Sequence, residues 1–319
     1  MRYRSLGVDG QSASALCLGA MTFGTTVDEE TATAILDRFT EAGGTFIDTS
    51  NNYAFWAPGA DGHESEELLG RWTARRGNRD DLVLATKVGA RPVPGLPFPE
   101  HIEGLSARAV REAAEGSLRR LGTDRVDLYY AHVADPATPV EETMGAFAAL
   151  VADGKVTALG CSNHGAAELA AANDLAAERS WPGYRCVQQR HSYLRPRPDA
   201  DFGIQKHADD ALLSYLAPRP SMTLLAYSPL LGGSYCRSDR PLREQYEWPT
   251  AKAQLAVLAE VAEETGATVN QVVLAWLLGH PVPTVPVVGA SSVAQLEESL
   301  GALDLVLDEE QRRRLDAAA

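Results

Sequence analysis

No stretch of this 319-residue chain approaches the ~20 consecutive apolar residues needed to span a bilayer, so no membrane partner is expected. The opening residues MRYRSLGVDGQSAS carry two arginines with no apolar run behind them, which is not the pattern of a secretory leader. A cytoplasmic location is therefore the expectation. Basic residues are scarce, 29 Lys and Arg against 43 Asp and Glu, giving a net charge of −14. That balance excludes nucleic acid as the main partner, because phosphate binding calls for a basic face. It still allows a local basic pocket for a phosphorylated cofactor. The four cysteines, Cys17, Cys161, Cys186 and Cys236, form neither a CxxC nor a Cys/His cluster at zinc spacing. No metal is expected, and buried reduced thiols are the simplest reading. No low-complexity linker divides the chain, so residues 1–319 are expected to form one domain.

What is present is an alternation repeated eight times. Short apolar runs are expected as strands at 15–19, 45–49, 82–87, 126–131, 158–161, 185–188, 223–227 and 283–288. Runs apolar on both faces are what buried parallel strands look like. Helical periodicity follows each one, over 28–42, 65–76, 107–121, 140–153, 166–177, 203–216, 250–265 and 292–300. Additional helices are expected at 268–278 and 308–315. Acidic residues after Asp28 suit the positive end of a helix dipole. Gly43-Gly44, Gly122 and Gly154 stand where a left-handed C-terminal residue is wanted. Thr138-Pro139 reads as a capping side chain ahead of a first-turn proline.

Eight strand–helix units in series specify a parallel sheet. An open doubly wound sheet would need a glycine-rich phosphate turn after its first strand, and Leu18–Gly24 lacks that spacing. The expected fold is therefore an α/β (β/α)8 TIM barrel. Residues 2–6 and 12–16 would form an N-terminal β-hairpin closing its bottom. Two long loops, 191–202 and 228–249, follow strands six and seven of the barrel, the end where such folds build active sites.

Polar residues terminate these apolar strands: Asp48, Lys87, His132, Ser162 with Asn163, Gln188 and Tyr227. A barrel turns that series into a ring converging on one mouth. Each alone has an ordinary structural explanation, as a cap, a rim residue or a core histidine. Together, with Tyr53 five residues beyond Asp48, they point to chemistry.

At this point the sequence resembles the aldo-keto reductase family. The resemblance is carried by Phe46-Ile47-Asp48-Thr49-Ser50-Asn51-Asn52-Tyr53, Glu64-Ser65-Glu66, Leu69-Gly70, Thr86-Lys87, and His132 after Asp127-Leu128-Tyr129. Gly160-Cys161-Ser162-Asn163 and Ala226-Tyr227-Ser228-Pro229-Leu230 extend it, in order, from about Leu6 to about Leu315. It implies NAD(P)H-dependent reduction of an aldehyde or ketone, a small-molecule carbonyl substrate, to an alcohol. Tyr53 would be the general acid, Lys87 would lower the phenol's pKa, Asp48 would hold Lys87, and His132 would orient the substrate oxygen. It also implies that Ser162, Asn163 and Gln188 hold the nicotinamide carboxamide, with Gln188 rather than Gln189 by the family spacing, and that Tyr227 stacks on the ring. Ser228, Leu230 and Gly232-Gly233 would begin a loop over the pyrophosphate, and Gly289, Ser291 and Gln295 would face the adenosine end.

Three departures stand out. Ala54-Phe55-Trp56-Ala57-Pro58-Gly59 replaces the family's usual glycine after the tyrosine, and Phe55 and Trp56 become candidate substrate contacts. His191 stands where tyrosine is commoner. Gln295 stands where an arginine for the 2′-phosphate would be expected. NADPH is the expected cofactor, with NADH or dual use open and Arg237, Arg240 or Arg243 as substitute cations. Two other readings remain at this stage: a nicotinamide-binding regulatory or sensor subunit with little turnover, and metal-assisted hydrolysis by His132, Asp135 and Asp48. Oligomeric state is unknown.

Overall fold

In the computed structural model, residues 1–6 and 12–319 are described. Two three-residue strands, β1 (Tyr3–Ser5) and β2 (Ser12–Ser14), pair antiparallel as the expected hairpin; its turn lies outside the described residues. Barrel and helices then alternate: β3 (Cys17–Gly19), α1 (Glu29–Glu41), β4 (Phe46–Asp48), α2 (Glu64–Arg76), β5 (Val83–Val88) and α3 (Ala107–Leu121). They continue through β6 (Val126–Ala131), α4 (Val140–Ala152), β7 (Val156–Ser162), α5 (Ala166–Glu178), β8 (Tyr184–Arg190) and α6 (Asp210–Leu216). β9 (Thr223–Tyr227), α7 (Pro249–Thr265), α8 (Val269–Leu278), β10 (Thr284–Val288), α9 (Val293–Gly301) and α10 (Glu309–Ala318) complete the chain. Strands β3 to β10 are parallel and close on themselves, with β10 pairing β3.

Side-chain alternation sorts each strand between two cores. Phe46, Val83, Ala85, Leu128, Tyr130, Ala158, Cys186, Leu225 and Val285 belong to one apolar cluster, which fills the barrel interior. Ile47, Leu84, Tyr129, Leu159, Val187 and Leu224, one position out of phase, belong to the layer under the helices. Each such leucine or phenylalanine withdrawn from water contributes roughly 1.5–3 kcal/mol. Leu6 and Ala13 of the hairpin join the interior cluster, so the hairpin seals the bottom of the barrel. Ser14 fastens it there: its hydroxyl accepts from the Thr45 and Phe46 amides at 3.1 Å each and donates to the Leu16 carbonyl.

The same phase places Asp48, Lys87, His132, Gln188 and Tyr227 inward at the opposite end, two residues beyond the last apolar interior positions of their strands, and Ser162 in that phase four residues beyond Ala158. Gln189 falls in the outward phase. Asp28 caps α1 by accepting from the Thr31 amide at 2.8 Å, and Gly122 ends α3 at φ 61°. Gly70 is required by a close approach: a Cβ there would lie 2.2 Å from the Arg120 carbonyl oxygen, where α2 crosses α3.

Two local expectations are corrected. The helix expected over 203–216 begins only at Asp210, because Gly203 turns at φ +63°, His207 bridges to Arg190, and Asp209 caps a seven-residue helix. At α4 the proline occupies the capping position without a side-chain cap, and Thr138 donates instead to Asp135.

Candidate active site

Four strand ends and one loop build the centre of the mouth. Lys87, fully buried, donates from Nζ to Asp48 Oδ2 at 2.5 Å and to the Thr49 carbonyl at 2.7 Å. Its third hydrogen bond, also 2.5 Å, goes to the Tyr53 hydroxyl, and that hydroxyl donates in turn to Asp48 Oδ2 at 2.9 Å. The three ammonium protons are thus all used inside one triangle. Gln188 closes the far side, donating from Nε2 to Asp48 Oδ1 at 2.9 Å. Tyr53 and His132 are half-buried at the opening, with their rings edge-on and 6.1 Å apart.

Residues outside the barrel fix this centre. Thr49 and Ser65 share a 2.7 Å hydrogen bond, and Ser65 donates to the Ala20 carbonyl. Glu66, fully buried, accepts from Thr86 at 2.5 Å and pairs with Arg120 at 2.6 Å. These bonds tie α2 and α3 to the strands that carry Asp48 and Lys87. Gly62, at φ +95°, lies so close to Asn52 that a Cβ would meet its Cα at 2.9 Å, which folds the Tyr53 loop back on the barrel.

The Tyr53 phenol is held well above its ordinary value, first by burial and then by the Asp48 carboxylate. Desolvation lowers Lys87 itself, against the pull of Asp48. Desolvation and the Lys87 charge push His132 well below its ordinary range, so it is neutral at physiological pH.

The other expected site residues fall into two groups. Ser162, Asn163, Gln188 and Tyr227 gather on the β7–β9 side of the mouth. Asn163, in the left-handed region at φ 57°, donates to the His132 carbonyl and to Ser162 Oγ. Its oxygen accepts from the Tyr227 hydroxyl at 2.9 Å and the Lys206 amide at 3.0 Å, so this amide is saturated. Gln189 accepts from the Asn163 amide and donates to the His164 carbonyl, supporting the turn from behind. Ser228, also left-handed at φ 52°, starts a tight turn through Leu230 to the glycine pair. At the start of α9, Gln295 folds back to accept from the Ser291 amide at 2.9 Å, and Gly289 faces open space. Of the three candidate arginines, Arg237 is paired with Asp239.

Phe55 and Trp56 stand together on the opposite rim with ring centroids 5.1 Å apart. Phe98, which the sequence reading missed, adds a third ring 4.9 Å from Phe55, from the loop after β5. Its signal was present in the proline-rich run Pro92–Pro99, an exposed aromatic in a long post-strand loop. Glu103 of the same loop was also missed; it accepts from Asn51 and from the Gly89 amide, and burial raises its carboxyl. Asp135 is engaged by the Leu105 and Ala137 amides and by Thr138, a turn-forming role away from His132.

With this geometry in place, comparison with known proteins is informative. The sequence pattern of the Aldo/keto reductase family matches residues 15–319. The chain belongs to that family. It is an oxidoreductase, and its barrel is the (β/α)8 architecture expected from the sequence. The oxidoreductase YrpG of Bacillus subtilis is 34% identical over 99% of this chain and 95% of its own length. The norsolorinic acid reductase stcV of Emericella nidulans is 35% identical, covering 95% of this chain and 77% of the relative. An aryl-alcohol dehydrogenase [NADP(+)] of Phanerodontia chrysosporium is 31% identical, covering 99% and 85%. As an aldo/keto reductase, the chain carries its triangle of Asp48, Tyr53 and Lys87 at the mouth of the barrel. No helix among the described residues is long and apolar enough to cross a membrane.

Proposed function

We propose that this enzyme reduces an aromatic aldehyde or ketone to the alcohol, with NADPH as hydride donor and Tyr53 as the general acid. The observation that carries the reading is the position of the Tyr53 hydroxyl, half-open to the mouth and bonded to Lys87 and Asp48. Its raised pKa keeps it protonated at neutral pH, the state in which a phenol can give a proton. As the carbonyl carbon is reduced, its oxygen takes the Tyr53 proton, and the phenolate left behind lies beside the Lys87 ammonium. That ammonium stabilises the developing charge in a water-poor setting, and Asp48 with Thr49 keeps it aimed.

The residues present fit a nicotinamide dinucleotide. Bound there, the reduced nicotinamide supplies the hydride. Tyr227, its ring fixed through Asn163, offers a stacking plane, while Ser162 and Gln188 offer polar atoms for the carboxamide. Gly289 has open space where a side chain would project, so a ligand can approach the backbone. The amino end of α9, capped by Ser292, suits a phosphate. No Lys or Arg lies between Gly289 and Leu296. Arg240 and Arg243 on the loop after β9 are the remaining cations for a 2′-phosphate, and the NADP(+) named in the aryl-alcohol relative supports that choice. The Phe55, Trp56 and Phe98 rings supply an apolar wall for an aryl substrate, in keeping with the names of the aryl-alcohol and norsolorinic acid relatives.

The test is NADPH oxidation with matched aromatic and aliphatic aldehydes and ketones, in the wild type and in Tyr53→Phe. The expected loss on substitution is about 10²–10⁴-fold in kcat with the fold intact. Undiminished turnover in Tyr53→Phe would remove the proposed acid. NADPH binding without turnover on any carbonyl would instead favour a sensor.

A further inference from the structure

Strand β8 ends on a buried cation that the site described above does not use. Arg190 follows Gln188 in the inward phase of β8 and stands in register with Tyr227 of β9. It is only 6% exposed, and among the described residues it forms no ion pair with a carboxylate. Its guanidinium lies over two rings, 4.7 Å from the centroid of Phe202 and 5.5 Å from that of Tyr227, and Nη2 donates to Gln205 Oε1. Nε meets no partner. Withdrawing a guanidinium from water without an anion is costly, and ring faces with one amide oxygen offset that cost only in part.

Arg190 lines a cleft of about 300 Å³ between the two long loops, a volume within the range of small-molecule sites. The loops are laced together around it: the Arg197 amide donates to the Gln245 carbonyl at 2.7 Å, and Trp248 Nε1 donates to the Arg195 carbonyl at 3.1 Å. Tyr246, Trp248 and Pro198 supply an apolar wall. The other charges of the cleft are engaged. Arg195 pairs with Asp210 at 2.8 Å, and Asp209 caps α6 by accepting from the Leu212 amide. Burial keeps His191 and His207 neutral, and His191 Nε2 also lacks a partner. Among the described residues, Arg190 is thus the cation of this cleft left without a counterpart. Neither Tyr53, His132 nor the Phe55–Trp56 rim belongs to its walls, so it is distinct from the catalytic mouth. The adenosine end placed at α9 lies beyond β10, on the other side of β9, so the dinucleotide does not account for this cation either.

We infer that this cleft binds a small aromatic carboxylate, with the carboxylate on Arg190 and the ring against Trp248 and Tyr246. A guanidinium fork matches the two oxygens of a carboxylate, and the added charge compensates the buried cation. A flat ring suits the aromatic wall, which an inorganic anion would leave unused. The occupant would touch both long loops and so hold them together.

Isothermal titration of the full chain, loaded with NADPH, tests this with benzoate as the probe. A single benzoate site is expected, weakened about 10-fold or more in Arg190→Met, the size of one charge-assisted hydrogen bond. Trp248→Leu should weaken it too, while Trp56→Ala on the opposite rim leaves it unchanged. Benzamide, which has the same shape without the charge, should bind at least about 10-fold more weakly by the same measure. Replacing an unpaired buried cation by methionine leaves no charge stranded, so the Tm of ligand-free Arg190→Met is expected to equal or exceed the wild type. That separates lost affinity from lost fold. Benzoate binding that survives Arg190→Met, or that falls in Trp56→Ala, puts the ligand elsewhere and overturns the inference. Benzamide binding as tightly as benzoate overturns it, as does inorganic phosphate binding as tightly, or an absence of benzoate binding at millimolar concentration. Binding is read without turnover, so an enzyme that takes benzoate here yet reduces no carbonyl would end the functional proposal and leave this site standing.

Discussion

Lys87 Nζ and Asp48 Oδ2 meet at 2.5 Å with 0% and 1% of their side chains exposed, an ion pair sealed between the barrel core and the mouth. Removing one partner leaves the other charge buried without compensation. Lys87→Met is therefore expected to cost about 3–5 kcal/mol of stability. Chemical denaturation of both proteins measures it. A loss below 1 kcal/mol would mean that Asp48 finds another partner or takes up a proton.

The two directions of catalysis should respond differently to pH. Reduction uses the Tyr53 phenol, and alcohol oxidation uses the phenolate. Burial and Asp48 raise the Tyr53 pKa above its ordinary ~10, so the phenol persists across neutral and mildly alkaline pH. Reduction should hold steady from pH 7 to 9 while oxidation climbs. Initial rates in both directions across that range check it, and an alkaline fall in reduction beginning near pH 7 would contradict it.

Buried histidines should make the protein acid-sensitive. His191, fully enclosed with Nε2 unpartnered, has its pKa pushed down to about 3 by burial and by nearby His280. In the unfolded chain it titrates near ~6.5. Between those values the unfolded state binds a proton that the folded state refuses, so stability present above about pH 6.5 is lost as pH falls. The slope is about 1.4 kcal/mol per pH unit for each such histidine. His191→Phe, which keeps a ring against Trp276, should flatten the decline between pH 6.5 and 4.5 in urea titrations. A parallel decline in variant and wild type would show that other groups carry it.

The aromatic rim should set selectivity by ring contact. Trp56 is 58% exposed and Phe98 41%, so part of each ring is open to a ligand. Trp56→Ala and Phe98→Ala are each expected to raise KM for an aryl aldehyde about 3- to 10-fold, with little effect on a short aliphatic aldehyde. Equal effects on both substrates would place the rings in loop packing instead.

The sequence alone determined the alternation of strands and helices, the barrel, and the ring of polar strand ends, because periodicity and strand termination are local properties. Even the choice of Gln188 over Gln189 has a local basis in the inward phase of β8. It also exposed the loop-borne Tyr53, through its motif and its five-residue distance from Asp48. Tertiary structure decided what those residues do to one another. That Asn163 is saturated, and that burial and Asp48 hold the Tyr53 phenol above its ordinary value, both depend on distant partners. So does the shortening of α6, whose first half is held by Arg190 and Gly203 in a bridge and turn. Periodicity reports which face of an element is buried. Proton direction and desolvation depend on what lies across the barrel, and closure of the sheet is what brings it there.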